Sequence, residues 1–205
     1  DTLAYDLFEM YGSNNDISWL GCHFTSNATI DDYALYLEPD TAWNIVVEGC
    51  WFDTIYEAIY IEANYDTVYG VSIRNNEFVF IDDYGIYLSV CKNIEIDSNY
   101  FPGYNDAAIY VEYSRFAEVT NNEVHYGDYP AVYFYYSEYM TATNNSIDSA
   151  YDDAFYSYEG DHIEFIDNWI GYTYYSGFYT DYTDNVRITG NTVEGYVDDY
   201  GVYVY

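Results

Sequence analysis

The chain has 205 residues, enough for a sizeable core, and carries 36 acidic residues against 4 basic ones, a formal charge of −32. Such an acidic balance excludes nucleic acid as a partner, because phosphate contacts need Lys and Arg. It disfavours anionic polysaccharide for the same reason unless Ca2+ bridges the two. No apolar run is long enough to span a bilayer and no signal peptide is apparent, so no membrane insertion is expected.

Taken in chain order, each coil of the sequence opens on the same motif, a small residue followed by an apolar residue, Tyr, and usually a second apolar residue. Its tyrosines are Tyr36, Tyr60, Tyr87, Tyr110, Tyr133, Tyr156, Tyr179 and Tyr203, spaced by 23 to 27 residues. A period of that size marks a solenoid, whose coils cannot bury their apolar faces without neighbours. Alternation turns the flanking residues inward and the tyrosine outward.

The next segment carries two apolar columns, Ile17, Ile45, Val71, Ile94, Ala117, Met140, Ile163, Val186 and, two residues on, Trp19, Val47, Ile73, Ile96, Val119, Ala142, Phe165, Ile188. That period-two pattern predicts a short strand with one buried face. Three residues further comes a polar column at a strict spacing of 23: Asn76, Asn99, Asn122, Asn145, Asn168 and Asn191, with Cys22 and Cys50 in the equivalent earlier places. A further apolar column follows two residues later (Phe24, Phe52, Phe78, Phe101, Val124, Ile147, Ile170, Val193), then an acidic turn, and the cycle restarts. Segments 27 to 33 and 62 to 70 lengthen two of the coils.

About 23 residues suffice for three short strands and their turns around a narrow core, so the chain is expected to be all-β, a single-domain parallel β-helix of eight or nine coils. At strand spacing the stack is about 40 Å long. A leucine-rich horseshoe fits less well, since helical periodicity is missing and leucines are few. A propeller needs a longer period.

The run of Asn, an apolar residue two later, a polar turn, then Gly85 to Leu88 and Asn93 to Ile96 resembles the right-handed parallel β-helix repeats of the pectate-lyase-like and NosD-like superfamily. The resemblance covers nearly the whole chain and implies the right-handed form of the fold, in keeping with the general handedness of parallel crossovers. It is weak for function, because that superfamily includes lyases, hydrolases, epimerases, tailspikes, adhesins and surface proteins without known activity. Its enzymes imply an Arg or Lys beside acidic Ca2+ ligands. Arg115 with Glu138 and Glu112 is the set that matches here, against the simpler reading of Lys92, Arg115 and Arg187 as cross-strand charge partners. The histidines His23, His125 and His162 fall at unrelated offsets and suggest no nucleophile–base pair.

Four groups of residues are candidates for function. The Asn column reads as a hydrogen-bonded ladder, or alternatively as the lining of a ligand groove. The acidic turns place Asp31, Asp32, Asp82, Asp83, Asp106, Asp128, Asp152, Asp153, Asp198 and Asp199 one coil apart, where they either bind Ca2+ or form a solvated edge. The tyrosine column is either a contact surface, for sugar rings or another filament, or a stabilising aromatic stack. Cys22 and Cys50 are close enough in register for a disulfide, or are small buried substitutes for Asn, while Cys91 has no evident partner.

These features lead to the expectation of a non-enzymatic structural protein of the cell exterior, a filament or stalk in which chains pair end to end, with Ca2+ as the one candidate ion. A polysaccharide-processing enzyme and a carbohydrate-binding adhesin or tailspike module are the alternatives.

Overall fold

The computed structural model describes residues 7–25 and 33–205; Asp31 and Asp32 lie outside the described residues. Among those residues there is no helix, and the paired strands run parallel. Each coil passes through three faces. In one coil these are Ile86–Ser89, Cys91–Asp97 and Tyr100–Phe101. The next coil lays Ile109–Glu112, Arg115–Thr120 and Glu123–Val124 on them in register, with Tyr110 on Tyr87, Ala117 on Ile94 and Glu123 on Tyr100.

The third faces form an eight-stranded sheet of their own. The first and second faces belong to one sheet, because the strand Tyr33–Glu48 bends through both without a break. The structure is thus the right-handed parallel β-helix expected, with coils of about 23 residues.

Alternation explains the core. Ile109 and Val111 are buried on either side of half-buried Tyr110, and the same pattern recurs at Ile86 and Leu88 and at Val132 and Phe134. Phe52, Phe78 and Phe101 stack inside the third face with ring centroids 4.9 and 4.5 Å apart and planes within 7°. Each coil buries too little apolar surface to persist alone, so the fold is held by these axial columns.

Two of the three corners share one construction. At the corner from the second to the third face, the residue before the ladder position adopts a left-handed backbone: Gly49, Asn75, Ser98, Asn121, Asn144, Asp167 and Gly190, with φ between 52° and 72°. Gly, Asn and Asp tolerate that region, which accounts for their recurrence here. At the corner from the first to the second face, Val90, Tyr113, Tyr136, Glu159 and Tyr182 do the same, with φ between 47° and 56°. A left-handed residue reverses the chain sharply and turns the next side chain inward, where a second polar column begins.

Candidate functional site

The six asparagines form one continuous ladder. Asn76 Nδ2 donates to Asn99 Oδ1 at 3.0 Å and to the Val47 carbonyl at 3.0 Å, and the Asn76 backbone N–H donates to the same Asn99 oxygen at 3.0 Å. Asn99, Asn122, Asn145 and Asn168 repeat the set, two bonds to the Oδ1 of the next coil and one to a carbonyl of the preceding coil, at 2.8 to 3.0 Å. Asn76, Asn99, Asn122, Asn145 and Asn168 are at most 2 % exposed. With each amide so occupied and buried, the column satisfies backbone groups at the corner and offers no groove lining.

Cys22 and Cys50 are free thiols that sit at the ladder's start. Cys50 Sγ takes the Cys22 N–H at 3.4 Å, and the Cys50 N–H donates to Asn76 Oδ1 at 2.9 Å. The substitute-for-Asn reading therefore describes them, and the disulfide is not formed.

Cys91 has a place that the sequence reading missed. It heads a second ladder on the other left-handed corner, its N–H donating to Ser114 Oγ at 2.9 Å, the Ser114 N–H to Ser137 Oγ at 3.2 Å, and the Gly160 N–H to Thr183 Oγ1 at 3.4 Å. The strict spacing of 23 from 91 through 114, 137, 160 and 183 was the available signal.

The tyrosine column is unbroken from Tyr36 to Tyr203. Successive centroids lie 5.1, 4.5, 5.4, 4.8, 4.5, 5.0 and 4.7 Å apart, with parallel stacking at most steps and edge-on contacts at Tyr110–Tyr133 and Tyr156–Tyr179. In the early coils carboxylates take the phenol protons: Tyr36 donates to Glu38 at 3.2 Å, Tyr60 to Glu62, Tyr87 to Glu112 at 2.5 Å, and Tyr110 to Glu112 at 3.3 Å. Burial, reinforced by these acids and by neighbouring phenols, raises the pKa of Tyr36, Tyr60, Tyr87 and Tyr110; burial and neighbouring phenols raise Tyr133 and push Tyr156 up to about 12.

The acidic turns lie at the third corner, and most of the aspartates have a partner close by. Asp82 accepts from Asn105 Nδ2 at 2.5 Å, Asp128 from the Tyr126 hydroxyl at 3.0 Å, Asp152 from the Asp153 N–H at 2.9 Å, Asp153 from the Ser176 N–H at 2.7 Å, and Asp198 from the Tyr196 hydroxyl. Burial, then the charge of Asp83 and a hydrogen bond with it, pushes the Asp106 carboxyl up to about 6. Burial, then Asp152, pushes Asp153 up to about 7. Among the described residues no three His, Cys, Asp or Glu side chains gather as a metal cage. The acidic turns expected to bind Ca2+ thus present their carboxylates mostly to local donors.

The basic residues are occupied as well. Arg74 pairs with Glu48 at 3.2 Å and Glu95 at 3.8 Å, Arg115 with Glu138, and Arg187 with Glu164 at 3.4 Å, while Lys92 lies over the Tyr69 ring at 5.5 Å. The lyase-like set is thus divided, Arg115 and Glu138 binding each other on the second face and Glu112 binding the tyrosines on the first.

These coils define a parallel β-helix solenoid with three axial ladders and closely engaged charges. Residues 57–205 match the family described as right handed beta helix region, and the chain belongs to that family. No curated protein matches it. No described helix is long and apolar enough to cross a membrane.

Proposed function

We propose that the chain is a non-enzymatic structural rod, a filament or stalk component at the cell exterior. The observation that carries this reading is the unbroken contact of eight tyrosine rings, coil on coil, from Tyr36 to Tyr203. A catalytic β-helix concentrates unlike groups at one level of the stack, whereas this surface presents the same ring at eight successive levels after Glu9. The engagement of Arg74, Arg115 and Arg187 in ion pairs also favours a structural role over acid–base chemistry.

Axial continuation is the second part of the proposal. Within the stack each strand pairs in parallel register with the coil before and after it, so the axis is the direction in which coils add. The same backbone pairing would join one copy to another end to end. The acidic surface keeps such rods apart laterally through self-repulsion, so growth is along the axis.

Electron microscopy of the purified chain tests this reading. Continuous rods with an axial repeat of one chain's stack are the expected result. Discrete particles of a single chain's length at all concentrations, together with turnover of a polysaccharide, would replace the proposal with the enzymatic one.

A further inference from the structure

A groove of about 530 Å3 follows the third corner, lined by Tyr126, Asp128, Tyr129, Tyr151, Asp152 and Tyr175. It lies away from the first-face tyrosine ladder and belongs to three successive coils. At one turn position Asp128 is followed by Tyr151 and Tyr174, and at the next Tyr129 is followed by Asp152 and Tyr175, so rings and carboxylates interleave. The four lining tyrosines are each 44 to 53 % exposed. These rings are not core, and each leaves about half of its surface to solvent.

The walls are held in place. Tyr151 stacks on Tyr174 at 4.7 Å and 13°, and Tyr175 meets Tyr174 edge-on at 5.3 Å. The Tyr126 hydroxyl donates to Asp128 Oδ1 at 3.0 Å, and the Asp153 N–H fixes Asp152 Oδ1 at 2.9 Å. A ligand would find the rings and carboxylates already oriented.

The chemistry selects the occupant. Four tyrosine rings and two carboxylates line the groove, and no Lys, Arg or His does. The two carboxylates repel an anion, and no cationic side chain of the lining offsets them. An ammonium ion bearing alkyl groups meets the rings with its polarised methyl or methylene groups and the carboxylates with its charge. The chain uses the same pairing internally, where Lys92 Nζ lies 5.5 Å from the Tyr69 ring centroid. Its formal charge of −32 further concentrates cations at the surface. We propose that this groove is a binding site for a small organic cation of the alkylammonium class.

The test is a titration of the chain with tetramethylammonium, followed by calorimetry and by the NMR signals of the tyrosine rings, with sodium held in excess. A single saturable site is expected, and the neutral isostere tert-butanol should not occupy it. Tyr151→Leu and Tyr175→Leu leave the net charge unchanged and should each weaken binding about tenfold, while circular dichroism shows the fold retained. Should one of these fail to fold, Tyr126→Leu, on the groove's exposed rim, serves in its place. Binding that is unsaturable, or equal in the leucine variants, would reduce the effect to diffuse counterions and overturn the proposal. Saturable binding of a methyl glycoside with none of tetramethylammonium would overturn it in favour of a sugar groove.

Discussion

Asn99 gives both its side-chain N–H and its backbone N–H to a single acceptor, the Oδ1 of Asn122, each at 3.0 Å. The Asn122 amide in turn donates to the carbonyl of Ile96, so one side chain answers three buried groups of the preceding coil. Because the relation repeats along the stack, the loss of a single amide interrupts a chain of mutually polarising bonds.

Asn122→Leu should therefore cost about 4 kcal/mol, since a near-isosteric apolar side chain strands two donors and one acceptor at roughly 1–3 kcal/mol each. Asn191→Leu should cost clearly less, because Asn191 is only half-buried whereas Asn122 is 1 % exposed. Urea unfolding of the two variants measures the difference. Equal small losses would show that the ladder fills space without holding the coils.

The Asn ladder was legible because one residue type recurs at one spacing, and the tyrosine column was legible for the same reason. The second ladder was hidden by its chemistry: Cys91, Ser114, Ser137, Gly160 and Thr183 keep the 23-residue spacing but vary in side chain, and their shared place after a left-handed corner shows only in the structure. The acidic turns show the opposite failure. Their residues were found, but composition does not say where a carboxylate points, and the Asp153 oxygen facing the Ser176 N–H depends on the stacking of two coils. The Tyr126 to Tyr175 groove depends in the same way on three.

Mild acid should stabilise the protein. Asp153, 7 % exposed, has its pKa pushed up to about 7 by burial and by Asp152, and Asp106 to about 6 by burial and Asp83. An unfolded aspartate titrates near 4, so the folded chain binds more protons between about pH 4 and pH 7, and stability falls as pH rises through that window. Moving from about pH 7.5 to 5 should add on the order of 3 kcal/mol, most of it from Asp153, since Asp106 is partly screened by solvent. Lower net charge acts in the same direction, so Asp153→Asn is the discriminating variant. Thermal melts should show much of the pH slope gone from it; an unchanged slope would trace the effect to general repulsion.

Alkali should unfold the chain more abruptly than it would a tyrosine-poor protein. Burial raises the folded pKa of Tyr60, Tyr87, Tyr110 and Tyr133, reinforced by Glu62 and Glu112 at the first three and by neighbouring phenols at Tyr133. Unfolded phenols ionise near pH 10, so above about that pH the unfolded state releases protons that the folded state keeps, and stability is lost as pH rises. Phenolate absorbance should rise in two stages, first from the exposed tyrosines and then, together with loss of the β signal, from the ladder. A single smooth titration with the fold intact would mean that the ladder phenols are freely hydrated.

Phe80 adopts φ 54° with 74 % of its surface exposed. A bulky residue in the left-handed region carries roughly 1–2 kcal/mol of strain, and glycine there carries none, although it forfeits roughly 0.5–1 kcal/mol of chain entropy. Phe80→Gly should therefore stabilise the protein by about 0.5–1 kcal/mol in urea unfolding. A loss of similar size would show that the Phe80 ring packs usefully against its neighbours.

Tyr104 and Gly127 form the sharpest size complementarity in the molecule. They are bridged in parallel register, and Tyr104, 2 % exposed, follows Ile81 in its column. A Cβ built on Gly127 would lie 1.8 Å from Tyr104 Cζ, inside the ring's own volume. The bulk of one coil is thus accommodated by the absence of a side chain in the next. Gly127→Ala should cost about 3 kcal/mol, because the ring is enclosed and cannot swing out without leaving a void. Tyr104→Leu should cost a similar amount through the cavity it opens. Shortening the ring makes room for the new methyl group, so the double variant should be at least about 1–2 kcal/mol more stable than the sum of the two losses predicts. Strict additivity would mean that the ring relaxes away from Gly127 at little cost, and that the tight fit at this corner does not constrain the coil.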